Sequence, residues 1–146
     1  MQLRDNASLD RSPPLRERRR SSVAREIEQV RAVLLERAEY LRSPDRQMVQ
    51  LALRDVTHRA IAEMFQIPPG TVCRRLQRAM KRLSSPLVGA LLSSTNALPR
   101  EHWQMAVEHF VQGLNRAELC DKHQMTAQQV DRMLEYVRGW QSDRSH

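Results

Sequence analysis

Residues Thr57 to Leu83 read THRAIAEMFQIPPGTVCRRLQRAMKRL, and the placement of apolar residues in this stretch decides the fold. Ala60, Ile61, Phe65, Ile67, Val72, Leu76 and Ala79 recur at the three- and four-residue intervals that line one helical face. The pattern describes two short helices joined by a tight turn, a helix-turn-helix. Its second helix carries Arg74, Arg75, Arg78, Lys81 and Arg82 with no acid among them, a charge density suited to lying against phosphates. With Val72, Leu76 and Ala79 turned inward, Thr71, Arg74 and Gln77 are placed to meet base edges, because Arg reads guanine and Gln reads adenine in the major groove. Arg78, Lys81 and Arg82 lie toward the C-terminal end and are placed to hold phosphate, which gives affinity without sequence.

Ser43-Pro44-Asp45 predicts a helix start: a cap, a proline at the first helical position and an acid near the positive end of the dipole. That helix is expected to run to about Arg54, closing a trihelical core with Met48, Leu51 and Ala52 over Ile61 and Val72. Thr57 is expected to cap the helix that follows. Over Ser43 to Leu83, the run Ile61-Ala62-Glu63, then Ile67, Pro69-Gly70-Thr71-Val72, Arg75-Leu76, Arg78-Ala79 and Arg82-Leu83 resembles the fourth region of bacterial sigma factors. The resemblance implies promoter-type DNA binding and, as an alternative role, an RNA polymerase accessory module. One departure is Pro68, which stands where a Ser or Thr cap is usual, at a cost of about 1 kcal/mol.

Charge is unevenly distributed. The chain of 146 residues has a net charge of +7, yet residues 1–83 hold 18 Lys+Arg against 10 Asp+Glu, and residues 84–146 hold 6 against 7. The basic footprint is therefore confined to the first half. Four glycines and abundant Arg, Leu, Ala, Gln and Glu favour an all-α protein, too small for a large enzyme fold. Residues 1–22, rich in Pro, Ser and charge, read as a disordered basic arm whose Arg16, Arg18, Arg19 and Arg20 could follow a backbone or enter a minor groove. From Val23 to Leu41, Val23, Ile27, Val30, Leu34 and Leu41 form one stripe of an amphipathic helix. Its 4-3-4-7 spacing suits either packing on the adjacent helix-turn-helix or a short coiled-coil seam interrupted by Arg37.

Residues 84–97 read as an apolar connecting helix and a polar linker. The segment from Leu87 to Leu92 is nearly all apolar, so it must be covered by one or both halves or by a second copy. Beyond it the helix-turn-helix pattern returns at an offset of 58: Val56/Leu114, Ile61/Leu119, Ala62/Cys120, Glu63/Asp121, Gln66/Gln124, Ile67/Met125, Val72/Val130 and Leu76/Leu134. Residues 98–140 thus spell a second trihelical unit, followed by a tail at 141–146. Trp103, Ala106, Val107 and Phe110 are expected to face inward on its first helix, with Gly113 ending that helix. Asn115-Arg-Ala-Glu118 and Thr126-Ala-Gln-Gln129 are both capping boxes. Within it, GLNRAELCDKHQM (Gly113–Met125) resembles the PapB-type adhesin regulators, which implies an oligomeric regulator of fimbrial genes with Gln128, Gln129 and Arg132 facing outward. This half is nearly neutral, and Asp131 and Glu135 would repel phosphate.

The expected architecture is therefore two tandem trihelical helix-turn-helix units preceded by an amphipathic helix and a basic arm. The function this supports is sequence-specific binding of double-stranded DNA by a bacterial transcriptional regulator; a helix-turn-helix adaptor that binds only protein is the alternative from another class. Catalysis is not expected, because Ser and acidic residues are scattered and no segment remains for a catalytic domain. No cofactor is implied. Cys120-x-x-His123 is at most half a zinc site, and Cys120 replaces the core residue Ala62 of the first repeat, so a packed thiol is expected. His102 and His109, with Glu101 and Glu108 nearby, read as solvated surface. No apolar run is long enough for a bilayer, and the expected setting is the cytoplasm, at the nucleoid, as a homodimer or higher homo-oligomer.

Overall fold

The computed structural model describes residues 14–144, and every regular element in them is helical. The elements are α1 (Leu15–Ala38), α2 (Asp45–Leu53), α3 (His58–Phe65), α4 (Pro69–Leu83), α5 (Pro86–Ser93), α6 (Arg100–Ala106), α7 (Arg116–His123) and α8 (Ala127–Arg144). A π-helical turn, Val107–Val111, continues α6. The all-α expectation holds.

The described residues divide into two compact units at Val33/Leu34. The first is the N-terminal part of α1, whose Leu15, Val23, Ile27, Val30 and Val33 are all exposed. Helix here begins at Leu15, so residues 15–22 are not the disordered arm expected from composition; residues 1–13 lie outside the described residues. Arg, Glu and Leu are good helix formers, and Glu17 sits in the first turn where the helix dipole favours an acid, so LRERRRSS propagates helix without needing a core.

The second unit begins with the end of α1, where Leu34, Ala38 and Leu41 are buried. Helix α2 starts one residue later than expected: Pro44 occupies the cap position and no side chain caps the start, while Ser43 Oγ lies 3.5 Å from the Arg46 guanidinium. A proline at the cap has no side-chain acceptor to offer, and its carbonyl takes the first bond, from Met48 N–H at 3.0 Å. Met48 and Val49 are the fully buried pair of α2, with Leu51 and Ala52 packed partly exposed at its edge.

Thr57 caps α3 by accepting from Ala60 N–H at 3.1 Å, as its sequence position implies. The turn after α3 is closed by Gln66 in the left-handed region, φ 55°, with Ile67 N–H bonded to Ala62 O. The second repeat makes the same turn with Gln124 at φ 54° and Met125 N–H on Cys120 O. Ile61 and Leu119, and Val72 and Val130, are completely buried at matching places. The 58-residue offset is thus a repeat of backbone geometry as well as of residue type. Both expected reciprocal bonds form at Asn115/Glu118 and at Thr126/Gln129.

The expected linker at 84–97 does not separate two cores. Val88, Leu91 and Leu98 join one apolar cluster that runs from Leu34 to Val137, and only Met105, Leu114, Leu119, Val130 and Leu134 form a smaller satellite. Each three-helix set is too small to cover an all-apolar α5, and burying each such side chain is worth about 1.5–3 kcal/mol, so the two halves close over it. Polar contacts reinforce the closure. Trp103 Nε1 donates to Leu91 O at 2.9 Å, Gln112 Nε2 donates to Tyr40 O at 3.1 Å, and the Tyr40 and Trp103 rings meet edge-on at 6.1 Å.

The histidine segment also differs from expectation. Glu108 is 3% exposed rather than solvated, and its carboxylate accepts from Lys122 Nζ at 3.0 Å, His123 Nε2 at 2.7 Å and Gln104 Nε2 at 3.3 Å. His109 Nδ1 donates to Leu114 O at 2.7 Å, and the half-buried His102 ring lies 4.9 Å from that of Tyr136. The wide π-helical turn supplies the reason: it advances less per residue than an α-helix, which rotates position 108 toward the buried face. Burial pushes the Glu108 carboxyl up, but hydrogen bonds from His123, Lys122 and Gln104 together with the His123 charge prevail and hold it below its usual value.

Because the folded-state value lies below the unfolded one, this carboxylate contributes stability above the unfolded pKa and loses it as pH falls through the folded one. Urea unfolding followed by circular dichroism should therefore show the wild-type chain weakening, as pH falls below about 5, more steeply than Glu108→Gln. Gly113, at φ +81°, has the Arg82 guanidinium 3.1 Å from the site of a Cβ, so Gly113→Ala should cost about 1 kcal/mol or more in the same assay at neutral pH.

Candidate nucleic-acid interface

Helix α4 buries Val72, Leu76, Ala79 and Leu83, a 4-3-4 stripe that fixes which residues face away. Its start has no side-chain cap: Pro68 is extended, and its carbonyl takes Thr71 N–H at 3.0 Å and Val72 N–H at 3.2 Å, while Pro69 begins the helix. Arg74, Gln77, Arg78 and Lys81 are exposed on the opposite face. Thr71 is half-buried, and its Oγ1 accepts from Arg74 at 3.3 Å, which steers that guanidinium along the first turn. Cys73 is half-buried too.

The remaining two cations of α4 are engaged within the fold. Arg75 Nε lies 3.0 Å from Asp45 Oδ1, joining α4 to the start of α2 with both side chains about one-third exposed. Arg82 is turned inward and donates from Nε to Val111 O at 2.9 Å, so it is not the outward phosphate holder expected from its place in the sequence. The π-helical turn leaves carbonyls near its end without regular partners, and a guanidinium reaching in from α4 satisfies one of them. Burial lowers the Arg82 pKa, attraction to Asp45 opposes this and the nearby Arg78 adds to it; an arginine remains charged under such a shift. Arg37, read from the sequence as an interruption, donates to Leu83 O at 2.7 Å and so completes the C-terminal end of α4.

The first turn of α3 adds two exposed residues that the apolar pattern does not mark, His58 and Arg59. Arg59, Glu63, Gln66 and Pro69 line a shallow hollow at the turn between α3 and α4. Basic residues in the first turn of a helix were the available signal, since such positions serve to hold a backbone phosphate.

In the second repeat, Gln128, Gln129 and Arg132 are exposed on the first turns of α8. Gln129 also closes the cap, with its Oε1 accepting from Thr126 N–H at 2.9 Å. Asp131 forms an ion pair with Arg116 of α7, which offsets the acid that would face a phosphate, whereas Glu135 is exposed. Cys120 packs against the satellite core and His123 is bonded to Glu108, so these two residues serve the packing of this half. Among the described residues, no group of three or more His, Cys, Asp or Glu is placed to hold a metal ion. Nor is any helix long and apolar enough to cross a membrane.

A trihelical support presenting an outward cationic second helix defines a helix-turn-helix domain. Residues 31–83 match the family model described as Sigma-70, region 4. The match takes in the end of α1 as well as α2 to α4, which agrees with the burial of Leu34, Ala38 and Leu41 in that core. No curated protein and no solved structure matches the chain. A helix-turn-helix similar to sigma region 4 supports a DNA-binding regulatory role.

Proposed function

We propose that the chain is a sequence-specific, double-stranded-DNA-binding transcriptional regulator of bacterial type that lays α4 in a major groove. The observation that carries this reading is the outward face of α4, where Arg74, Gln77, Arg78 and Lys81 are exposed without an acid, in a segment similar to sigma region 4. Thr71, Arg74 and Gln77 stand at the N-terminal end, where a recognition helix meets base edges. Arg78 and Lys81 hold phosphate, with Arg59 and His58 adding contacts from α3. Arg75 contributes charge from its pair with Asp45, and Arg82 acts from inside by anchoring the helix.

The second repeat offers Gln128, Gln129 and Arg132 as a further DNA-facing set or as part of a homo-oligomer. The likeness of residues 113–125 to PapB-type regulators supports fimbrial operons as the first targets to examine. The chain works in the cytoplasm, at the nucleoid, and needs no cofactor. A second reading, favoured by the family match, has the sigma-like segment acting together with RNA polymerase; retention of purified polymerase by the immobilised chain would distinguish it.

Mobility-shift titrations across a salt series test the main reading. With about three to five phosphates neutralised, log K should fall against log salt with a slope of roughly −3 to −5. Lys81→Ala should weaken all duplexes about equally and reduce that slope by about one. Arg74→Ala should instead relax discrimination at one base position by about 1–3 kcal/mol. Equal effects of the two changes on every sequence would refute this division of roles.

A further inference from the structure

The N-terminal part of α1 carries an exposed apolar stripe. Val23, Ile27 and Val30 are 53%, 52% and 59% exposed, and Val33 on its flank is 42% exposed. Further along the same stripe, at Leu34, the side chain is buried. The 4- and 3-residue steps from Val23 to Ile27 and Val30 make positions 23 and 30 the d sites and position 27 the a site of a short heptad seam, which stops where Leu34 turns into the chain's own core. Arg16 and Arg20, at the preceding d and a sites, end the seam on one side. Arg37, bonded to Leu83 O, lies beyond it on the other.

We propose that a second copy of this chain covers the stripe, the two α1 helices pairing in parallel and in register. Charge placement decides the orientation. Glu26 is a g site and Arg31 an e site five residues later, so a parallel pair sets Glu26 of each copy against Arg31 of the other, twice by symmetry. An antiparallel pair that keeps the apolar sites matched puts Glu26 opposite Val33 and Arg31 opposite Ala24, with no opposite charges facing. Arg31 leans on Glu28 at 3.7 Å within its own helix, and the cross-pair brings the other copy's Glu26 carboxylate to the same guanidinium.

The seam is less than two full heptads, below what holds a free-standing coiled coil together. Its affinity is accordingly in the micromolar range, and two helix-turn-helix units held on neighbouring DNA sites would raise it through effective concentration. This gives the oligomer of the proposed function its contact surface and rests on that part of the reading alone. DNA binding by single copies would survive its failure.

Sedimentation of the full chain without DNA, from about 1 µM to several hundred micromolar, tests the pairing. The wild type should pass from monomer to dimer over this range. Glu26→Arg and Arg31→Glu, each on an exposed or half-exposed position and each verified as folded by its circular dichroism melt, should separately weaken the dimer roughly tenfold. An equimolar mixture should regain wild-type association, because a pair of unlike copies again sets opposite charges at positions 26 and 31 on both sides of the seam. A wild type that remains monomeric, single variants that associate as the wild type does, or a mixture that fails to recover would each overturn the proposal.

Discussion

The packing of four side chains, Val72, Leu76, Ala79 and Leu83, governs what this molecule presents to its surroundings. Burying that stripe against Met48, Val49 and Ile61 leaves α4 only one rotational setting, since any turn about its axis would expose apolar surface and bring an arginine into the core. The exposed face follows from this constraint without further specification. Arg74, Gln77, Arg78 and Lys81 are outward because their neighbours three and four positions away are inward.

The far end of α4 is where the two halves of the second unit are joined. Arg37 closes the last turn through Leu83 O, and Arg82 extends to Val111 O beside Gly113. Both are charge-assisted hydrogen bonds to backbone acceptors, stronger and more directional than an exposed ion pair. Together with α5, whose apolar surface both repeats cover, they make the second helix-turn-helix part of the support for the first. The π-helical turn is bound into the same arrangement, because it exposes the carbonyl that Arg82 uses and directs Glu108 inward to Lys122 and His123.

The repeats share a backbone and differ in electrostatics. Gln66 and Gln124 adopt the same left-handed turn, yet α4 faces outward with cations while α8 pairs Asp131 with Arg116 and leaves Glu135 exposed. A duplicated fold can hold one copy for contact with a polyanion and retain the other for packing, because the core stripe and the outer face of a helix are independent choices of residue. The apolar stripe of α1 is a third surface, distinct in chemistry from both.

Much of this architecture was legible in the residues alone. Apolar periodicity marked the helices from α2 to α8, the capping pairs Asn115/Glu118 and Thr126/Gln129 marked two starts, and the 58-residue offset marked the repeat, because all of these depend on contacts within four residues along the chain. The outward group Arg74, Gln77, Arg78 and Lys81 was legible for the same reason. Other features depended on partners distant in sequence: the inward turn of Arg82 on Val111, the capping role of Arg37 at residue 83, the pairing of Arg75 with Asp45, the burial of Glu108 and the merging of the two cores over α5. A one-dimensional pattern states which face of a helix is apolar. Only the tertiary structure decides which long cation reaches an unsatisfied carbonyl or carboxylate, because that depends on distance across the fold and on how much water is left there to compete.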